Sequence, residues 1–296
     1  MDLYFYRSHS AYSSVNDFVD VIQDIPKNVE AICSFVQNNL IHSYWLEHYG
    51  VEIDNHTRLT EMQIRYANEI LITSESKAGA TITEIHRPQD RVVGVCRDFS
   101  LLLCSIFREK DIPARIRCGF SKYLTPDRFE DHWICEYWQE ADQRWVMVDA
   151  QLDDVHSDIL DLKFDRYDVP KSEFIYAGEA WRLCREQKEG PSKFGIFNLN
   201  GLSFIKGNIV RDLYALRKVE LMAWDTGWGI LKNSSQAISS EREMNILDEL
   251  AILSYRSDEK GSKNAIAFFD EIKFPSGWKL SQAPTIAELL AEHSEG

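Results

Sequence analysis

The chain is a 296-residue polypeptide with an acidic composition. It has 33 basic and 47 acidic residues, so its formal net charge at pH 7 is −14. This charge disfavours nucleic acid and anionic membranes as partners, because both are themselves negatively charged. A chain of this length can bury about three quarters of the surface that it exposes when unfolded. One large domain, or a core with a sizeable extension, is therefore feasible.

No targeting or membrane segment is visible in the sequence. The N-terminus MDLYFYRSHS lacks a basic region followed by an apolar core. No apolar run approaches the roughly 20 residues that a helix needs to cross a bilayer. We therefore expect a cytoplasmic protein, in which the six cysteines stay reduced and their even number is no evidence of disulfides.

The first third of the chain has the apolar periodicity of helices. The pattern predicts helices at about 13–23, 28–48 and 58–73, with Ile25-Pro26 separating the first two. A helical segment therefore precedes the rest of the fold.

The segment GVCRDFSLLLCSIF predicts a helix that begins at Cys96. Its apolar residues recur at spacings of three and four, which is the pattern of one buried helix face: Phe99, Leu102, Leu103, Ile106 and Phe107. The pattern stops at Ile112-Pro113, where proline prevents the helix from continuing. The β-branched residues before Cys96 favour a strand that leads into the helix.

Three strands with a period of two residues are predicted after this helix. They lie at 114–120, at about 132–138 and at about 145–149. The short polar link at 139–143 predicts that the second and third strands form a hairpin.

The remainder of the chain is predicted to be mostly helical. Loops with short helices occupy 161–200, and further helices are predicted at about 206–223, from Ser240 to about 255, at about 261–271, and from Pro284. No low-complexity tract or linker separates these parts. We therefore predict a core at residues 1–160 and a helical extension at 161–296 that packs against it.

A thiol at the start of a helix is easily made reactive. The partial positive charge and the outward-pointing N–H groups of a helix N-terminus stabilise a thiolate and lower the pKa of the thiol. Asp98 in the first turn opposes thiolate formation at Cys96, and Arg97 offsets part of that effect.

His132 and Asp149 supply the other two groups of a nucleophilic site. In the predicted hairpin they lie at the outer ends of adjacent antiparallel strands, so we expect them to face one another. If the helix packs on this sheet, it brings the Cys96 thiol to the imidazole. The sequence therefore has the components of a Cys-His-Asp site.

These motifs resemble the transglutaminase-like superfamily of cysteine enzymes. The likeness rests on Gly94-Val95-Cys96, on His132-Trp133 and on the run from Trp145 to Asp149, and it covers roughly residues 90–155. The longer pattern, with RPQDRVVGVCRDF and GNIVRDLYAL, resembles an uncharacterised bacterial branch.

The resemblance implies an α+β papain-like fold, with a nucleophile helix packed on an antiparallel sheet. It also implies that Cys96 is the nucleophile, His132 the general acid/base and Asp149 the group that orients the imidazole. The reaction would be amide hydrolysis or acyl transfer through a thioester, on a peptide, protein or small amide. The superfamily also contains inactive proteins, so the alternative is a binding or scaffold protein on this fold.

An acyl-transfer site also needs an oxyanion hole. The backbone N–H of Cys96 is one donor. Gln37 suits the upstream side-chain donor that related enzymes use, and Gln89 lies closer to the cysteine along the chain. Either amide is also consistent with a solvated surface position.

Metal and cofactor chemistry is not indicated. The sequence has no CxxC or HExxH pair, no phosphate-binding loop and no dinucleotide fingerprint. The other cysteines are best interpreted as packing residues: Cys33, Cys104, Cys118, Cys135 and Cys184. We therefore predict neither a metal site nor a cofactor.

Overall fold

Residues 3–225 and 240–256 are described by a computed structural model that contains both helices and strands. The helices are α1 Leu3–Arg7, α2 Val19–Asp24, α3 Val29–Asn39, α4 Asn55–Glu61, α5 Ala67–Ala78, α6 Cys96–Glu109, α7 Asp154–Leu160, α8 Ala177–Arg185, α9 Leu202–Leu216 and α10 Glu241–Tyr255. The strands are β1 Leu40–His42, β2 Val92–Gly94, β3 Ala114–Ser121, β4 Phe129–Gln139, β5 Arg144–Val148, β6 Phe174–Tyr176, β7 Phe194–Ile196 and β8 Leu199–Asn200. The predicted α+β class is confirmed. No helix in the described ranges is long and apolar enough to cross a membrane.

The chain divides into two compact units. The N-terminal unit comprises residues 3–116 and 134–169, and the C-terminal unit comprises 117–133 and the described residues after 169. Strands β3 and β4 each have residues in both units. The predicted division of the chain between residues 160 and 161 stays a prediction.

Helix α6 forms the centre of the N-terminal unit. It contacts α1, α2, α3 and α5, and every residue from Arg97 to Arg108 is buried. Phe107 stacks on Tyr137 of β4, with ring centroids 4.8 Å apart. The helix that begins at Cys96 therefore packs on the sheet, as predicted, and it is buried around most of its circumference rather than along one face.

The predicted hairpin is confirmed as β4 and β5. The two strands pair antiparallel from Cys135 with Val148 to Gln139 with Arg144. The turn between them places Gln143 in the left-handed region, at φ 51°. Such a conformation is typical of short hairpin loops.

The helix predicted at 28–48 is wrong in its second half. Helix α3 ends at Asn39, and the next three residues pair parallel with β2 as β1. A short 3-10 helix, Leu46–Tyr49, follows. The apolar run was compatible with either structure, and pairing with the strand before Cys96 decides between them.

The helix predicted at 58–73 is two helices, α4 and α5. The carbonyl of Arg65 accepts a 2.9 Å hydrogen bond from Nη2 of the buried Arg97. The residues between the two helices, 62–66, are a turn followed by irregular backbone, and this hydrogen bond holds that backbone in place. The contact is between residues 32 positions apart, so local periodicity does not reveal it.

The C-terminal unit combines strands with the predicted helical extension. Its strand order is β6-β3-β4-β7-β8. Helices α8, α9 and α10 contact one another and enclose an apolar core that includes Phe120, Trp181, Ile205, Ile209, Leu247 and Leu250. Helix α8 approaches α10 so closely that a Cβ at Gly178 would lie 2.2 Å from the Ala251 carbonyl oxygen. Only glycine allows this approach.

The helices of the extension follow the prediction in part. The helix predicted at 206–223 is α9, which starts earlier, after Gly201 at φ 96°, and ends at Leu216. The predicted start of α10 is confirmed, because the Ser240 hydroxyl accepts a 3.2 Å hydrogen bond from the Glu243 N–H. The stretch predicted as loops also contains β6, β7 and β8. The helices predicted at 261–271 and from Pro284 lie outside the described residues.

A buried ion pair joins α9 to β3. Arg117 donates two 2.8 Å hydrogen bonds to the Asp212 carboxylate, and neither side chain is exposed to solvent. Asp212 also accepts from the Cys118 N–H at 3.0 Å and from the Ser254 hydroxyl at 2.6 Å. The Arg117 guanidinium lies 3.7 Å from the centroid of the Tyr176 ring. The pair is therefore both neutralised and hydrogen-bonded, which a buried charge requires.

We expect the Asp212→Asn variant to be destabilised by about 3–5 kcal/mol, because it leaves the Arg117 charge buried without its counter-ion. Chemical denaturation measures this free energy of unfolding. The control Glu189→Gln breaks the partly exposed surface pair with Lys193 and should change stability little. Equal losses in the two variants would contradict this description of the core.

Candidate active site

The strand that leads to Cys96 is held on both sides. Strand β2 pairs parallel with β1, with His42 opposite Gly94. On its other side the Glu61 carboxylate accepts from the Val93 N–H at 2.6 Å and from Lys77 Nζ at 2.8 Å. Lys77 also donates to the Arg91 carbonyl at 2.8 Å. These contacts place the start of α6 at a defined position.

Cys96 is the first residue of α6 and is half-buried. Asp98, three residues after the N-cap, accepts a 2.9 Å hydrogen bond from the Val95 N–H. Burial raises the pKa of the Asp98 carboxyl, while the Arg97 guanidinium and the Val95 N–H lower it. Burial outweighs these two contacts, so the pKa of Asp98 is raised overall, and the Arg97 guanidinium 3.1 Å away offsets part of the negative charge that opposes a thiolate.

An aromatic group that the sequence analysis did not identify lies near Cys96. The His42 ring is 5.8 Å from the Tyr44 ring and 6.2 Å from the Phe99 ring. Burial raises the pKa of the Tyr44 hydroxyl, Arg58 lowers it, and the negative charge of a Cys96 thiolate raises it further. Tyr44 therefore stays a neutral hydroxyl beside the thiol. The adjacency of β1 and β2 creates this group, and no motif in the sequence signals it.

The other cysteines have less reactive environments. Four of them are buried: Cys33, Cys104, Cys118 and Cys135. Burial raises the pKa of the Cys33 and Cys135 thiols above its usual range. Cys184 is half-buried, and burial followed by the charge of Glu189 raises its pKa to about 11.

His132 lies on β4, in the C-terminal unit, and its ring is almost completely buried. The Tyr123 ring meets it edge-on, with centroids 5.8 Å apart, and the Phe174 ring lies 6.3 Å away. The adjacent Asp131 accepts a 2.6 Å hydrogen bond from the Asn208 amide. Burial raises the pKa of Asp131, while Arg211, Asn208 and His132 lower it.

Asp149 follows β5 in the N-terminal unit and is also buried. Its Oδ1 accepts a 3.0 Å hydrogen bond from the Gln151 N–H, and its own N–H donates to the Arg166 carbonyl at 3.1 Å. The negative charge of Asp149 contributes to the raised pKa of Cys33. Asp149 is thus held by both its backbone and its side chain.

The two glutamines proposed as oxyanion donors have different environments. Gln37 is half-buried on α3, and its Nε2 donates to the carbonyls of Ala150 at 3.1 Å and Leu152 at 3.2 Å. Both hydrogens of this amide are therefore used to hold the segment after Asp149. Gln89 lies exposed on a short 3-10 turn, Pro88–Asp90. Oxyanion roles for the two residues stay predictions.

Metal ligands are not grouped in the part of the chain that the structure describes. Across residues 3–225 and 240–256, no three His, Cys, Asp or Glu side chains converge as a ligand set.

Comparisons with known proteins identify a family for part of the chain. Residues 57–150 match the model of the transglutaminase-like superfamily core. No curated protein matches the sequence. A solved structure of a candidate cysteine protease from Cytophaga hutchinsonii aligns with 59% of this chain and 45% of its own, at 21% identity and a TM-score of 0.36. The chain thus spans less than half of that protein, and a likeness at this TM-score assigns no function.

The segment that matches the family model, residues 57–150, begins within α4 and ends directly after Asp149. The predicted resemblance to the transglutaminase-like superfamily is therefore confirmed for residues 57–150.

Proposed function

We propose that this chain is a cysteine-dependent enzyme that hydrolyses an amide or transfers its acyl group. Cys96 is the nucleophile, His132 the general acid/base and Asp149 the group that orients the imidazole. The observation that carries the proposal is the position of Cys96, the first residue of a 14-residue buried helix inside the segment that matches the transglutaminase-like model.

The helix start supports a nucleophilic role for Cys96. First-turn amides point out of the helix N-terminus and carry partial positive charge, which stabilises a thiolate and later the oxyanion of a tetrahedral intermediate. Because α6 is buried, solvent screens this charge less than on a surface helix. Cys96 is also more accessible than the four buried cysteines.

The hairpin supports the roles of His132 and Asp149. Cys135 pairs with Val148, the last residue of β5, and the same antiparallel register continued by one residue would set Asp149 opposite Ile134. Residues two apart on a strand point to the same face, so His132 belongs to the face of Ile134. A carboxylate on that face is suited to orient the imidazole through Nδ1 and to stabilise its protonated form.

The reaction would proceed in two steps. His132 takes the proton from the Cys96 sulfur, and the thiolate attacks the amide carbonyl carbon. The C–N bond then breaks, the amine leaves with the proton from His132, and a thioester remains on Cys96. Water or a second amine, deprotonated by His132, attacks the thioester and releases Cys96. The substrate would be a peptide, a protein or a small amide.

We expect iodoacetamide to modify Cys96 before any other cysteine of the native protein at pH 6–8. With its pKa at about 11, Cys184 has only about one thiolate in a thousand molecules at pH 8, because each pH unit is a factor of ten. Mass spectrometry of the digested protein locates the modification. Protein unfolded in urea is the control, since all six cysteines should then react. Modification of Cys184 as fast as Cys96 would contradict the assignment.

We expect Cys96→Ala to abolish turnover in a screen of peptide, amide and ester substrates while leaving the melting temperature nearly unchanged. His132→Gln and Asp149→Asn should each lower the rate by about 10³-fold or more, as for other triad members. The matched control is Cys184→Ala, which should retain full activity.

Two results would overturn the proposed function. A Cys96→Ala variant that keeps its activity excludes Cys96 as the nucleophile. If Cys96 instead reacts with iodoacetamide no faster than a free thiol with pKa near 8.5, a binding or scaffold protein on this fold becomes the better description.

A further inference from the structure

The segment that follows β5, from Asp149 to Leu152, is buried and needs a hydrogen-bond donor for each of its carbonyls. Two of these donors are backbone N–H groups, one within the segment and one on the residue that follows it. The Leu152 N–H donates to the Asp149 carbonyl at 3.2 Å, and the Asp153 N–H donates to the Gln151 carbonyl at 3.0 Å. The remaining carbonyls belong to Ala150 and Leu152.

Gln37 supplies the donors for these two carbonyls. Its Nε2 lies 3.1 Å from the Ala150 oxygen and 3.2 Å from the Leu152 oxygen, and an amide nitrogen has two hydrogens to donate. Gln37 comes from α3, which contacts α6 through a buried face. One side chain thus ties the segment after Asp149 to a helix that is distant in sequence but packed beside the nucleophile helix.

The conformation of this segment helps to position the Asp149 carboxylate. Oδ1 accepts from the Gln151 N–H, and Gln151 lies between the two carbonyls that Gln37 holds. If Gln37 released them, the Gln151 N–H would lose its fixed position, and the carboxylate would lose the hydrogen bond that it accepts from this group. Two buried carbonyls would also be left without a donor, which favours rearrangement of the segment.

We propose that Gln37 is a positioning residue for Asp149. This inference rests on the proposed function, in which Asp149 orients His132 and stabilises its protonated form. It replaces an oxyanion role for Gln37, because both hydrogens of the amide are already donated to the Asp149 segment. Gln37 acts through Asp149 and does not touch the substrate.

The test is the pH dependence of iodoacetamide modification at Cys96 in the full-length protein. Asp149 stabilises the imidazolium, which in turn stabilises the thiolate, so loosening Asp149 raises the pH at which Cys96 becomes reactive. We expect Gln37→Met, which keeps the size but removes the donors, to raise that midpoint by about 0.5 pH unit, equivalent to about a threefold slower reaction at any pH well below the midpoint. Asp149→Asn should raise it at least as much.

Gln23→Met is the matched control. The Gln23 amide also donates to a backbone carbonyl, that of Glu109 at 2.7 Å, and to the Glu109 carboxylate at 3.3 Å, so its partners are at the end of α6 and not in the Asp149 segment. Replacing Gln23 should leave the midpoint of Cys96 modification unchanged. If Gln37→Met does not fold, Gln37→Asn provides the same comparison, because it retains the amide but shortens its reach and should shift the midpoint in the same direction.

The double variant Gln37→Met/Asp149→Asn decides whether Gln37 acts through Asp149. The proposal predicts that Gln37→Met adds no further shift once Asp149 is replaced, since coupled residues are not additive. Two results would overturn the positioning role alone. In the first, Gln37→Met raises the midpoint equally with Asp149 present and with Asp149 replaced by Asn. In the second, Asp149→Asn raises the midpoint but Gln37→Met does not. If Asp149→Asn itself produces no shift, the role of Asp149 in the proposed function fails, and the inference fails with it.

Discussion

The buried N-terminus of α6 is the constraint on which the proposed chemistry depends. A helix start stabilises negative charge mainly within its first turn, and more strongly where solvent and salt screen it less. Here α6 is surrounded by other helices and by β4, while the entering strand is held by β1 and by Glu61. The sulfur of Cys96 therefore lies at the one end of a buried helix where a thiolate is favoured.

The helical extension holds β4, the strand that carries His132, in place. Helix α9 is attached to β3 by the Arg117–Asp212 pair and to β4 by the hydrogen bond from Asn208 to Asp131, the residue before His132. Both contacts are buried hydrogen bonds between polar side chains, so they fix the strands more specifically than apolar packing alone. Packing of α8 and α10 around α9 completes this unit.

Sequence patterns were sufficient where local signals determine structure. The helix from Cys96, the hairpin after Gln139 and the Ser240 cap each depend on periodicity or on residues three or four apart. At the break between α4 and α5, by contrast, the backbone is held by a distant bond, from Arg97 to the Arg65 carbonyl. The contacts of Gln37 span more than 110 residues, so the sequence suggested an important amide but not its partners. Tyr44 was missed for the same reason.

The central claim is that Cys96 and His132 form a thiolate–imidazolium pair oriented by Asp149. It is tested most directly by nuclear magnetic resonance titration of the His132 ring, assigned by comparison with His132→Gln. The account predicts that the His132 pKa falls clearly in Cys96→Ala and in Asp149→Asn, since each variant removes a negative charge that stabilises the imidazolium. A His132 pKa that is the same in the unmodified protein and in both variants would contradict it.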